Sequence, residues 1–302
     1  MKSNYYFYYK LLQYVVMDET LKILDKKCEK YADYESYFII GDHLGTGKFG
    51  SVYKATPTEK GIELIIRKNG EISIPPTLAI KMLSIGNSKI SDFINEINAL
   101  TKLKDIDHVG KTYGCMYQPS DLDTSINGSI VMEFVGGISL QTYTQNMKML
   151  GPRNPMNGTN KEKIKNSVIQ FCYELLQTVK LMHHHDIYHN DLHNGNVMIM
   201  LDQDKSISNF KIIDFGKMTT HNDEENSDFN MLSNLIFSFL ALIMLKYKRL
   251  TDPGSAPFPI PTDVSLENSY VLDECICANL GVDLKSTNVM YGEIYAYFSP
   301  RK

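Results

Sequence analysis

The chain has 302 residues, 43% of them apolar and 22% charged, with a formal net charge of −4 and an isoelectric point near 6.1. This balance fits a globular chain long enough for one large domain or two lobes, and it lacks the basic footprint of a nucleic-acid binder. Five cysteines, an odd count without framework spacing, point to free thiols in a reducing compartment, and the lone Cys275-x-Cys277 pair is too little for a metal site.

The N-terminal stretch MKSNYYFYYKLLQYVVM is aromatic, but Lys10 and Gln13 interrupt it and no small-residue cleavage site follows, so no signal peptide is expected. Residues 18–34 read as a polar amphipathic helix within an N-terminal extension of residues 1–37. β-Rich runs follow: YFIIGDHL, SVYKA, IELII, LAIKML, YGCMY and SIVMEF. Asn69-Gly70, between the apolar runs of IELIIRKNGEISI, predicts a hairpin. One helix interrupts the series over residues 91–103, where Phe93, Ile97, Leu100 and Leu103 follow helical spacing.

The character then changes. GPRNPMNGTN at residues 151–160 reads as a loop. A long helix is predicted over 161–184, with Ile164, Val168, Phe171, Leu175, Val179 and Met182 on one stripe. Two short strands, VMIML and FKIID, and a buried helix near 228–247 complete the pattern. The apolar run Leu235–Leu245 in that helix is shorter than the roughly 20 residues of a membrane span. The class expected is α+β, with a small β-rich half at residues 38–135 and a mainly helical half at residues 136–302.

Three stretches carry chemistry. The first is Gly45-Thr46-Gly47-Lys48-Phe49-Gly50. A P-loop would need a Gly where Asp42 stands and Ser or Thr where Phe49 stands. A dinucleotide-binding loop would run into a helix, whereas SVYKA after Gly50 reads as strand. A strand–loop–strand turn remains, either a plain tight hairpin or a backbone cover for nucleotide phosphates. The second is Lys81, inside the apolar run LAIKML. Glu96 lies beside the apolar face of the 91–103 helix, and an inward carboxylate needs a cation, which Lys81 supplies if helix packs on strand. The third is HHHDIYHNDLHNGN at 183–196, which holds most of the eight histidines. His185, His189 and His193 are four apart, as zinc ligands on a helix would be. Asp186, Asn190, Asp191, Asn194 and Gly195 are cap and turn formers, which argue against a continuous helix there.

Taken in order, these motifs resemble those of the protein kinase superfamily: Gly45-x-Gly47-x-x-Gly50-x-Val52, Ala79-Ile-Lys81, Glu96, His189-Asn-Asp191-Leu-His193-Asn-Gly-Asn196 and Asp214-Phe-Gly216. The resemblance covers residues 38 to 247. It implies a two-lobed fold with an antiparallel-sheet N-lobe and a helical C-lobe, using ATP and Mg²⁺. In that pattern Asp191 orients the attacking hydroxyl, Asn196 and Asp214 hold Mg²⁺, and Lys81, fixed by Glu96, binds phosphate. The loop Gly45 to Gly50 with Val52 and Ala79 covers the nucleotide, while Met132 and the backbone of Glu133 and Val135 border adenine. His189 then matches the structural histidine of the family's catalytic loop, and zinc is not needed.

The sequence also departs from the family's pattern. Asn190 replaces the arginine that receives a phosphorylated activation loop. His193 replaces a lysine near the γ-phosphate, as in haspin-like kinases and small-metabolite phosphotransferases. No Ala-Pro-Glu lies between Asp214 and Asp228, so the peptide-docking segment is missing or drastically shortened. The expected activity is transfer to Ser or Thr of a protein substrate by a cytoplasmic, monomeric enzyme without nucleic-acid partner or membrane span. A small-molecule phosphotransferase and an inactive kinase-fold binding module stand as alternatives.

Overall fold

The computed structural model describes residues 21–31, 33–47, 50–69, 73–86, 90–119, 125–149 and 158–220, and beyond them 228, 231–232, 235–236 and 239. These residues fall into two compact units, one formed by residues up to Asp105 with Gly110–Val135, the other by Ile106–Val109 with residues from Gly136 onward.

The first unit is built on a six-stranded sheet: β1 (Glu29–Lys30), β2 (Phe38–Gly47), β3 (Gly50–Pro57), β4 (Leu78–Ile85), β5 (Thr112–Pro119) and β6 (Ile126–Glu133), in the spatial order β1-β5-β6-β4-β3-β2. All pairs are antiparallel except β1–β5, so the sheet is mixed rather than purely antiparallel. The helix read over 18–34 is shorter than expected: residues 21–27 are helical, and the chain then turns into β1. The β1–β5 register sets Glu29 against Met116, which places Cys28 beside Cys115, and the two form a disulfide. These two are therefore not free thiols; their 87-residue separation hides the pairing from the sequence. Cys172 is free and buried, and burial pushes its thiol pKa up.

The hairpin expected around Asn69-Gly70 is instead a helix, α1 (Glu59–Asn69). The apolar run that reads as a strand also has helical spacing, with Gly61, Leu64 and Ile65 buried on one side. Thr58 opens it, its hydroxyl accepting from the Gly61 N–H at 3.3 Å. Asn69 closes it, its amide donating to the carbonyls of Ile65 at 2.9 Å and Tyr113 at 2.6 Å. Leu64 and Ile65 join Phe38, Leu78, Ile80, Met116 and Val131 in one core. Each such fully buried side chain contributes about 1.5–3 kcal/mol. Because strand residues alternate faces, Ala79 and Lys81 on β4 point away from Leu78 and Ile80. The helix α2 (Ile90–Lys102) buries Phe93, Glu96, Ile97 and Leu100.

In the second unit β7 (Ile138–Ser139), β8 (Val197–Leu201) and β9 (Ile207–Ile212) form a small sheet in that order. Helix α3 (Leu140–Met149) follows β7, and α4 (Gly158–His184) is the long helix. The expected stripe on α4 is buried throughout, from Ile164 to Met182. Phe171 on α4 meets Phe210 and Phe239 edge-on, at 5.1 and 5.6 Å between ring centres. Farther on, the helical residues Asp228, Leu232, Leu235, Ile236 and Phe239 are buried. Among the described residues no helix is long and apolar enough to cross a membrane. The residues read as the loop at 151–157, as the C-terminal part of the last helix and as the irregular stretch after 250 lie outside those described.

Candidate active site

In the first unit, strand register sets Val52 opposite Lys81 and Ala79 opposite Met132. Directly paired residues share a face, so Val52, Ala79, Lys81 and Met132 line one side of the sheet. Lys81 and Glu96 are 5% and 4% exposed, and the Lys81 ammonium donates to Glu96 Oε1 at 2.7 Å. Removing two charges from water is costly, and the pair persists here because each neutralises the other. At the end of β6 the Glu133 N–H donates to the Lys111 carbonyl at 2.9 Å, and Val135 is half-buried just beyond.

The glycine turn joins β2 to β3, with Thr46 opposite Ser51 and Gly47 opposite Gly50. Gly50 has φ +135°, and a Cβ there would lie 2.2 Å from the Met82 carbonyl oxygen, so only glycine fits. Among the described residues, a Cβ on Gly45 or Gly47 would meet nothing within 4 Å. Packing among the described residues does not demand glycine at those two positions. Lys48 and Phe49 lie outside the described residues.

The second unit carries the loop from His185 to Asn196. Its anchor is the buried, helical Asp228. Asp228 accepts from the backbone N–H groups of His189 at 2.8 Å and Asn190 at 2.7 Å, and from His183 Nε2 at 2.9 Å. Burial alone would raise its carboxyl pKa, but these donors outweigh it and hold the pKa below the usual value. His189 is fully buried. Its Nε2 donates to the Ile213 carbonyl at 3.1 Å, while its Nδ1 accepts from the Asp191 N–H at 3.3 Å. Such partners define a neutral imidazole, and burial lowers its pKa despite Asp228, Asp214 and Asp191 nearby. Asn190 adopts φ 56° and donates to the Thr219 hydroxyl at 2.9 Å.

Asn196 and Asp214 flank the paired end of the β8–β9 hairpin, and Asn196 ties the loop bearing Asp191 to it. Val197 pairs with Ile212, so Asn196 immediately before β8 stands beside Ile213 and Asp214 just after β9. The Ile213 N–H donates to the Asn196 carbonyl at 2.9 Å. The Asn196 amide nitrogen donates to the Asp191 carbonyl at 2.9 Å, which orients its Oδ1 away from that contact. Asp214 takes φ 63°, and its Oδ1 accepts from the Gly216 N–H at 3.4 Å. An amide oxygen and a carboxylate are the hard donors that a phosphate-bound divalent ion uses, so Asn196 and Asp214 fit Mg²⁺. Among the described residues no three His, Cys, Asp or Glu side chains come together as metal ligands. Asp191 is 18% exposed and bonds Lys217 at 2.7 Å through Oδ1. His193 is 55% exposed, its Nε2 4.0 Å from Asp191 Oδ2 and its Nδ1 accepting from the Gly195 N–H at 3.0 Å. A cavity of about 500 Å³ opens beside His193, lined by Gln141, Leu192, Asn194, Gly195, Met231 and Leu235.

Lys217 and the supporting contact of Thr219 are absent from the sequence reading. The available signal is a lysine directly after Asp214-Phe-Gly216 in a chain with histidine at 193.

A sheet with a buried Lys–Glu pair, and an Asp191-bearing loop anchored on a buried aspartate, define the protein-kinase-like class. The profile of the protein kinase domain family matches residues 38–234, and the chain belongs to that family. The chain is 29% identical over 186 residues to the serine/threonine-protein kinase KIC1 of Saccharomyces cerevisiae, covering 61% of this chain and 14% of that protein. It is 24% identical over 185 residues to Misshapen-like kinase 1 of Rattus norvegicus, covering 61% and 12%. With serine/threonine-protein kinase 4 homolog B of Dictyostelium discoideum it shares 25% identity over 197 residues, covering 65% and 15%. The aligned region is thus a small part of each relative's length.

Proposed function

We propose that the chain is an ATP- and Mg²⁺-dependent protein kinase that phosphorylates Ser or Thr hydroxyls. The observation that carries this reading is the bonding of the loop to the hairpin: the Asn196 amide donates to the Asp191 carbonyl, and the Asn196 carbonyl accepts from the Ile213 N–H beside Asp214. The kinase relatives' names point the same way for the acceptor. ATP held with Mg²⁺ supplies the phosphoryl group.

The residues' work follows from their chemistry. Lys81, neutralised by Glu96, binds the α- and β-phosphates. The backbone from Gly45 to Gly50 covers the phosphates, Val52 and Ala79 contact the base, and Met132, Glu133 and Val135 border it. Asn196 and Asp214 hold the metal. Asp191 orients the acceptor hydroxyl and takes its proton as the new P–O bond forms; the bond from phosphorus to the β–γ bridging oxygen breaks, and ADP leaves. His189 keeps the loop in shape from beneath and does not touch substrate.

The test is transfer from γ-labelled ATP, wild type against Asp191→Ala, with casein, basic proteins and lysate, followed by phosphoamino-acid analysis. Label on Ser or Thr in the wild type, lost by about 10²-fold or more in the variant, supports the reading. Equal turnover in Asp191→Ala sinks it. A small-molecule acceptor is the second reading, favoured by His193 and by the short stretch between Asp214 and Asp228. Label on amino-alcohols, sugars or aminoglycosides, with none on protein, would select it.

A further inference from the structure

We propose that Lys217 is a catalytic residue: it supplies the positive charge beside Asp191 that stabilises the transferring phosphoryl group. The inference rests on the phosphotransfer reading and names a residue outside the motifs that led to it. It starts from an unfilled requirement. Charge spreads over the phosphoryl oxygens during transfer, and a fixed cation beside the acid–base group is worth most there. His193 occupies the sequence position from which that cation would come, yet its geometry does not suit the task. Its ring is more than half exposed, its Nδ1 is occupied as an acceptor by Gly195 N–H, and Nε2 lies 4.0 Å from Asp191, beyond a hydrogen bond.

Lys217 has the reach and the anchoring. Its ammonium lies 2.7 Å from Asp191 Oδ1. The backbone is tied down on both sides of it. The Met218 N–H donates to the Phe215 carbonyl at 3.1 Å, forming a turn around Lys217. Thr219 and Tyr188 exchange both backbone hydrogen bonds at 3.0 Å, and the Asn190 amide bonds the Thr219 hydroxyl. The segment bearing Lys217 is therefore stitched to the same loop that bears Asp191. An ammonium has three N–H groups. One engages Asp191 Oδ1, which leaves the ammonium with donor capacity for phosphate oxygens. Asp191 Oδ2 is then the oxygen that receives the acceptor's proton. Asn190 also gains a purpose here: where the family's arginine would bind a phosphorylated loop, it holds the Lys217 segment through Thr219 without any modification.

Two measurements on the full chain test this. The first is labelling with an acyl-phosphate derivative of ATP, which acylates lysines that lie against the terminal phosphates, read by peptide mass spectrometry with and without excess ATP. Acylation of Lys217 that ATP suppresses, alongside that of Lys81, is expected. Suppressible acylation of Lys81 alone overturns the proposal and leaves the kinase reading standing; none at either lysine overturns both. The second is kinetics. Lys217→Ala should lower kcat at least about 10-fold with KM for ATP changed less than about 3-fold, and Lys217→Arg should recover part of the loss. Thermal unfolding of each variant separates this from misfolding. A kcat that is unchanged or higher in well-folded Lys217→Ala, the signature of a lysine that merely blocks Asp191, overturns the proposal. So does a larger loss in His193→Ala than in Lys217→Ala.

Discussion

Lys81 and Glu96 meet because two local patterns force it. An eight-residue apolar strand puts Lys81 at a buried position, and the helical spacing of α2 puts Glu96 on the face that packs down. Both features are visible in the sequence, so the contact is legible there. The expected consequence is a strong asymmetry. Lys81→Met should lower unfolding free energy by about 3–5 kcal/mol, because the carboxylate keeps its burial and loses this cation. Lys81→Met combined with Glu96→Leu should recover most of that, since an apolar pair has no charge to desolvate. Urea denaturation of the single and double variants checks it; an additive double variant would mean the two side chains do not act as a unit. The Asp191–Lys217 contact is of another kind. It depends on the Phe215–Met218 turn and on the Tyr188–Thr219 bridge, neither of which has a periodicity to read.

Among the elements, α1 shows why a short apolar run is ambiguous. Ile62, Leu64, Ile65 and Ile66 satisfy a strand pattern, and Asn69-Gly70 is a favoured hairpin pair. The same residues satisfy a helix with Thr58 before it, Glu59 in the first turn, and Arg67 and Lys68 in the last, where the dipole favours each sign. What decides is tertiary: the face of the sheet formed by Leu78, Ile80 and Val131 needs cover, and Leu64 and Ile65 provide it. Asn69 then acts as a helix terminator rather than a turn residue. The cap is testable. Thr58→Ala removes an acceptor for the Gly61 N–H and a donor to the carbonyls of Ser36 at 2.7 Å and Tyr37 at 3.1 Å. It should cost about 1 kcal/mol, seen as a lower Tm, while Thr58→Ser should keep most of the wild-type value. β1 was equally hidden, because a two-residue strand has no pattern of its own and its pairing with β5 is set by distant residues.

At the scale of the whole molecule, the burial of His189 and Asp228 links folding to pH. Burial holds His189 neutral in the folded chain, with its pKa below the ordinary value near 6.5, and the charges of Asp228, Asp214 and Asp191 do not overturn that. The unfolded chain therefore binds a proton on this histidine that the folded chain refuses. Stability from this source is fully present above about pH 6.5 and declines as pH falls below it. Asp228 titrates in the opposite electrostatic setting: its folded pKa is depressed, so the unfolded chain again takes up the proton first, now below about pH 4. The two groups have the same sign of effect in successive windows. Urea midpoints should be level from pH 8 to 7, fall between pH 6.5 and 5 and fall again below pH 4. Two-dimensional NMR of the imidazoles should show His189 still neutral with Nε2 protonated at pH 6. A midpoint that does not fall between pH 6.5 and 5, or a His189 that titrates at the ordinary pKa, would show that the loop carrying Asp191 is not held by a buried neutral histidine. In that case the anchoring of the catalytic loop would rest on Asp228 alone.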